Sequence, residues 1–170
     1  MSRTKKLTLA AMLLALGVII PQAFHAFPNA GNIILPMHIP VLVSGFVCGP
    51  IYGLGIGLLT PILSHLMFSM PSFYMLGQMI IELGCYGLVT GLLNDLIKTK
   101  NKIVKSYTVL VIAMIVGRIV YGLLNNFVFK AGSYSLSIWL NAAFLTAIPG
   151  IVIQLIVIPI IVNSINKMLQ

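Results

Sequence analysis

Two ionisable side chains of opposite charge, Glu82 and Arg118, stand inside long apolar runs of the sequence. A charged side chain at the centre of a membrane helix costs about 2.5 to 3.5 kcal/mol on insertion scales, so each should face the protein interior or a wet cavity. At about 1.5 Å of rise per residue from the predicted span ends, Glu82 is roughly 13 Å deep and Arg118 roughly 16 Å deep. The matched depths leave two interpretations open: a buried ion pair that joins two helices, or a site for a polar solute.

Further polar side chains share a helical face with these two residues. Tyr121 and Asn125 follow Arg118 at offsets of three and seven, which are spacings of a single stripe. Gln78 precedes Glu82 by four residues and shares its face by the same rule. Each amide alone is better explained by hydrogen bonding between helices, but the set supplies the donors, acceptors and aromatic ring that a small-molecule pocket requires. The predicted substrate-binding residues are Arg118, Glu82, Tyr121, Asn125, Gln78 and His38.

The sequence offers little for catalysis. It contains no GxxxxGK[ST] phosphate loop, no HExxH and no GxSxG, and no second carboxylate lies near Glu82 in depth to form an acid–base pair. His38 and His65 have no carboxylate at ligand spacing, so no metal site is predicted. The sequence therefore predicts neither an enzyme nor a bound cofactor, and any ATP hydrolysis is assigned to partner subunits.

The composition is that of an integral membrane protein. Hydrophobic residues make up 59% of the 170 residues, with ten Lys and Arg and only two acidic residues, and the mean hydropathy is +1.09. The net charge of +8 does not indicate nucleic acid, because most basic residues lie in short segments beside apolar runs. The chain is expected to form one all-α membrane domain over residues 1–170.

Six transmembrane helices are predicted. They cover residues 7–23, 35–48, 50–68, 73–97, 107–129 and 138–162, with a loop at 25–32 and interfacial anchors at Tyr134 and Trp139. An even number of spans places the N-terminal basic cluster, the lysines of residues 98–105 and Lys167 on one side. By the positive-inside rule both termini are cytoplasmic.

The second and third spans form a hairpin around which the rest of the chain is organised. Gly49 permits and Pro50 enforces a reversal between them. Gly53, Gly55 and Gly57 are expected to line a face on which a neighbouring backbone packs closely.

The hairpin also carries a resemblance to a known family. The run HIPVLVSGFVCGPIYGLGIG resembles the second and third helices of the substrate-binding S components of energy-coupling factor (ECF) transporters, where an apolar-Pro-apolar segment, a small residue and Gly-Pro-x-x-Gly-x-x-x-Gly are frequent. Here Ile39-Pro40-Val41, Ser44-Gly45, Gly49-Pro50, Gly53 and Gly57 match this pattern. Thr60-Pro61 stands where some members carry an acidic residue, so no ligand contact is transferred from the family.

The resemblance implies a membrane-embedded vitamin receptor in a prokaryotic cell membrane. It would capture its solute from outside and associate with a transmembrane coupling subunit and two cytoplasmic ATPases. The family's first helix docks on the coupling subunit through an alanine-xxx-alanine pattern, which Ala11 and Ala15 match; packing within the chain is the other explanation of these alanines. The residues at 25–36 correspond in position to the family's lid over the ligand.

The substrates of that family include pantothenate, pyridoxine, folate, riboflavin and thiamine precursors. Arg118 favours a solute with a carboxylate and hence pantothenate, although Glu82 could neutralise it. Two other functions stay open from the sequence: a self-sufficient small transporter or channel, and a membrane scaffold protein.

Overall fold

The computed structural model describes residues 2–24, 30–99, 101–129 and 135–168. All regular secondary structure in these ranges is helical. The helices are α1 (Arg3–Ala23), α2 (Ala30–Ile34), α3 (His38–Cys48), α4 (Pro50–Phe68), α5 (Phe73–Leu96), α6 (Lys102–Leu124), α7 (Leu136–Leu140) and α8 (Ile148–Met168). Wider π-helical turns at Asn125–Phe129 and Asn141–Leu145 follow α6 and α7.

Five of these helices, α1, α4, α5, α6 and α8, are long and apolar enough to cross a membrane. Helix α3 is different, since its 11 residues rise only about 16 Å, roughly half of a hydrocarbon core. Nine of its residues are buried, and it packs against α1, α4, α5 and α8. The predicted second span is thus a short central helix, and six full-length spans are not confirmed.

The predicted reversal at Gly49 and Pro50 is confirmed. Helix α3 ends at Cys48 and α4 begins at Pro50, with Gly49 alone between them at φ +96°. That backbone conformation favours glycine, and a proline fits the first turn of a helix because no intrahelical partner awaits its nitrogen. The bend defines one end of the helix bundle, called here the Gly49 end; the opposite end, where α3 begins, is called the His38 end.

Close backbone contact joins the hairpin to α5. A Cβ atom on Gly53 would overlap the carbonyl of Gly87, and one on Gly57 would overlap the carbonyl of Leu83. Gly55, by contrast, has nothing within 4 Å of such an atom. The expectation that Gly55 shares the packing face is wrong, because residues two apart on a helix point in different directions.

Two predicted boundaries also differ from the structure. The last span does not run over 138–162, because α7 and a π-helical turn occupy its first part and α8 begins only at Ile148. The basic segment 98–105 is not all loop: α6 begins at Lys102, and the Asn101 side chain accepts hydrogen bonds from the backbone N–H groups of Ile103 and Val104. That cap satisfies amides that a helix start leaves without partners.

The loop predicted at 25–32 is described only in part. Residues 25–29 lie outside the described ranges, as does Tyr134, and the chain from Ala30 to Ile34 is helical rather than loop. Helix α2 packs against the start of α8, where a Cβ atom on Gly150 would lie 2.6 Å from the carbonyl oxygen of Ile33. This contact places α8 beside the entry to α3.

Candidate functional site

The structure brings the predicted polar residues to the His38 end of the bundle. Helix α3 contributes His38 in its first turn, α5 contributes Gln78 and Glu82, and α6 with its π-helical turn contributes Arg118, Tyr121 and Asn125. Most of these side chains are buried, and Glu82 and Tyr121 are partly buried. Because α5 and α6 run in opposite directions side by side, the two polar stripes lie along neighbouring helices.

The centre of the site is formed by His38, Glu82 and Tyr86. The His38 Nε2 atom lies 3.8 Å from Glu82 Oε1, so the carboxylate partner that the sequence spacing did not reveal comes from another helix. The rings of His38 and Tyr86 meet edge to face, with centroids 5.2 Å apart and planes at 61°. The His38 imidazole thus gives the Glu82 carboxyl a polar neighbour inside the bundle, where an isolated carboxyl is costly.

Arg118 lies next to this centre but has different partners. Its Nη1 atom donates to the carbonyl oxygen of Ala143, and its guanidinium lies 5.6 Å from the centre of the Phe144 ring, a cation–π distance. Among the described residues Arg118 forms no ion pair with Glu82. The buried ion pair considered from the sequence is therefore not the arrangement in this structure.

Glycines make room for the aromatic rings around Arg118. A Cβ atom on Gly117 would overlap the ring of Tyr86, and one on Gly122 would overlap the indole of Trp139. Trp139 donates from Nε1 to the backbone carbonyl of Arg118 at 3.0 Å. The predicted role of Trp139 as a simple interfacial anchor is thus incomplete, since it also ties α7 to α6.

The two predicted amides bond within their own helices. Gln78 donates to the carbonyl of Tyr74 at 3.3 Å, and Asn125 donates to the carbonyl of Tyr121 at 2.9 Å. The Oδ1 atom of Asn125 is buried without a hydrogen-bond partner in the described part of the chain. Within the residues that the structure describes, neither amide thus makes the interhelical hydrogen bond that the sequence favoured for it.

Two buried polar residues on the surrounding helices were not predicted from the sequence, Tyr86 and Gln154. Tyr86 follows Glu82 by one helical turn and so continues the stripe of Gln78 and Glu82, a signal that was available. Gln154 is a single amide inside the apolar run of α8, one turn after Gly150, and nothing around it in sequence distinguishes it. Both are almost fully buried.

Unpartnered polar atoms recur on the helices that meet at this end. The Nδ1 atom of His38, Asn125 Oδ1 and Gln154 Nε2 are buried without a hydrogen-bond partner within the described ranges, as are the hydroxyls of Ser64 and Thr90. The Tyr86 hydroxyl has the Glu82 side chain beside it. A buried polar group without a partner costs about 1 to 3 kcal/mol. Three such atoms, on α3, on the π-helical turn after α6 and on α8, are therefore candidate partners for a polar ligand.

His65 does not join this cluster. Its Nδ1 atom lies 2.7 Å from the carbonyl oxygen of Pro71, so it fastens the connection between α4 and α5. Within the described residues no group of three His, Cys, Asp or Glu side chains is placed to hold a metal ion.

Two cavities lie at the opposite, Gly49 end. One of about 290 Å³ is bordered by Lys6, Asn94 and Asp95. A second of about 570 Å³ lies between the start of α6 and the last turns of α8. Neither is lined by a residue of the predicted substrate site.

Long apolar helices around a buried polar centre define this chain as a multi-pass membrane protein. The family model described as "ECF transporter, substrate-specific component" matches residues 5–162. The chain belongs to this family, and it is a substrate-binding transporter subunit rather than an enzyme. No curated protein and no solved structure matches it.

Proposed function

We propose that this subunit captures a water-soluble vitamin or vitamin precursor from outside the cell for an ATP-driven ECF importer, with pantothenate as the candidate ligand. The observation that carries the proposal is the set of unpartnered polar atoms on His38, Asn125 and Gln154. Both hydrogen-bond donors and acceptors are present in this group. The matching ligand therefore carries both kinds of group itself, as a vitamin with hydroxyl and amide functions does.

The charge of the site favours a carboxylate on the solute. Arg118 has five N–H donors, of which one bonds the carbonyl of Ala143, and Glu82 lies beside His38 instead of beside Arg118. A guanidinium binds a carboxylate with two parallel hydrogen bonds, which a backbone carbonyl does not replace. This chemistry agrees with pantothenate, which has a carboxylate, hydroxyl groups and an amide.

The path of the chain supports a six-pass topology with cytoplasmic termini. Helices α1, α3, α4, α5, α6 and α8 run alternately between the Gly49 end and the His38 end, although α3 is short. The basic side chains described at the Gly49 end include Arg3, Lys5, Lys6 and Lys98. We therefore assign the Gly49 end to the cytoplasm and the substrate site to the outer face of a prokaryotic plasma membrane.

The exposed face of α1 is the proposed contact with the coupling subunit. Ala11 and Ala15 are exposed, whereas Ala10 and Gly17 on the other side of α1 are buried against the rest of the chain. Small side chains permit close approach of another membrane helix. Two ATPases bound to that coupling subunit would supply the energy, in agreement with the lack of a P-loop in this sequence.

A thermal-shift screen followed by an uptake assay tests the proposal. Pantothenate at a hundred times its Kd stabilises the folded state by about 2.7 kcal/mol, which raises the unfolding midpoint of the purified chain. Uptake of the radiolabelled vitamin into cells should require co-expression of the coupling subunit and ATPases. Uptake by the chain alone in liposomes would identify a self-sufficient transporter, and a flat response across a vitamin panel would favour a scaffold protein.

A further inference from the structure

The larger cavity at the Gly49 end combines a polar and an apolar wall. Its polar wall is formed by Lys102 and Lys105 from the start of α6 and by Asn163 and Asn166 from the end of α8. Its apolar wall includes Ile103 and Ile160, whose side chains are 62% and 61% exposed on the helix surfaces. The cavity thus opens where the lipid-facing side of the bundle meets its basic end.

The two lysines of this cavity carry uncompensated charge. The whole sequence has only two acidic residues; Glu82 lies beside His38, and Asp95 borders the neighbouring cavity. Neither Lys102 nor Lys105 has an ion-pair partner in the described parts of the chain. Two lysines and two asparagines thus border one space, and their N–H groups are donors that suit a phosphate oxygen as hydrogen-bond acceptor.

We propose that this cavity binds the headgroup of an anionic phospholipid, with the acyl chains lying along the apolar wall at Ile103 and Ile160. The two lysines attract the negatively charged phosphate. The exposed isoleucines can contact acyl chains, which a lipid has and a soluble anion lacks. A volume of about 570 Å³ is ample for a glycerophosphate headgroup, because drug-sized ligands occupy cavities of about 300 to 1,000 Å³. The site is separate from the substrate-binding residues at the other end of the bundle.

Native mass spectrometry of the purified chain in detergent tests this site. We expect one molecule of dioleoyl phosphatidylglycerol to bind in preference to dioleoyl phosphatidylcholine, which has the same acyl chains. Each lysine near a membrane surface contributes about 1 kcal/mol of attraction to anionic lipid. The double variant Lys102→Gln with Lys105→Gln should therefore bind phosphatidylglycerol roughly 30-fold more weakly.

A charge-matched control separates a defined site from diffuse attraction. Lys5→Gln with Lys98→Gln removes the same charge from exposed residues outside the cavity and should leave the affinity within about twofold, since distant surface charges are screened. Equal losses in both double variants would overturn the proposal.

Two further results would also contradict a lipid site. Competition by soluble glycerol phosphate as effective as that of the lipid would identify a site for free phosphate compounds. Absence of phosphatidylglycerol binding, together with failure of the Lys102/Lys105 variant to assemble with the coupling subunit, would identify a protein-docking surface. Substrate affinity, measured in the same samples, is expected to be equal in all variants. Failure of the lipid-site proposal is therefore distinguishable from failure of the proposed transport function.

Discussion

Replacing Gly53 by alanine tests the close backbone contact between α4 and α5. The new Cβ atom would overlap the backbone carbonyl of Gly87, and a backbone atom cannot move aside as the end of a side chain can. Overpacking of this kind costs about 1 to 3 kcal/mol, whereas alanine gains up to about 1 kcal/mol over glycine in helix propensity. Because the overlap is with backbone, the cost lies in the upper part of this range, and we expect a net loss of about 1 to 2 kcal/mol in the free energy of unfolding.

Gly55 supplies a matched control two residues away on the same helix. A Cβ atom there meets nothing within 4 Å, so Gly55→Ala should leave stability unchanged or raise it by up to about 1 kcal/mol. Both variants are unfolded by sodium dodecyl sulfate in mixed micelles and followed by loss of helical ellipticity. If Gly53→Ala is as stable as Gly55→Ala, the reasoning about close packing of α4 on α5 is refuted.

Three further predictions concern binding and assembly. Arg118→Ala should weaken vitamin binding about ten- to hundredfold in a titration, because a charge-assisted hydrogen bond contributes about 1.5 to 3 kcal/mol. The helical circular dichroism spectrum should be unchanged. An unchanged affinity would give Arg118 a purely structural role. Gln154→Met and Thr90→Val each remove a buried unpartnered polar atom, so both variants should have a higher unfolding midpoint. Only Gln154→Met should also weaken vitamin binding, by about fivefold. Equal vitamin affinities in the two variants would exclude Gln154 from the site. Ala11→Trp should abolish co-purification with the coupling subunit and leave ligand binding unchanged. The control Ile119→Trp places the same side chain on the exposed face of α6 and should leave both co-purification and ligand binding unchanged. Loss of ligand binding in Ala11→Trp would show that α1 needs this face for internal packing.

Local signals in the sequence predicted the hairpin and the polar stripes. Glycine and proline at Gly49 and Pro50 determine backbone geometry by themselves, so the reversal was predictable. The offsets around Arg118 and Glu82 follow directly from the helical repeat. Tyr86 continues the α5 stripe by the same rule. It was not predicted because an aromatic side chain in an apolar run resembles an ordinary core residue.

Contacts between distant segments could not be predicted in the same way. The approach of His38 to Glu82 depends on how α3 packs against α5, and hydropathy does not encode that packing. The Arg118 bond to the Ala143 carbonyl requires the π-helical turn at Asn141–Leu145, which interrupts a run of apolar residues that reads as one span. A uniform apolar pattern carries no information on where a helix changes its winding, so the predicted start of the last span lies ten residues before the start of α8.

The shortness of α3 has a consequence for how the chain enters the membrane. A helix of 11 residues is too short to hold its place across the bilayer alone, and its neighbours α5 and α8 are synthesised after it. Helix α3 therefore reaches its final environment only when α8, the last described helix, has joined the bundle. The burial of His38 in the first turn of α3 thus depends on segments that leave the ribosome after it.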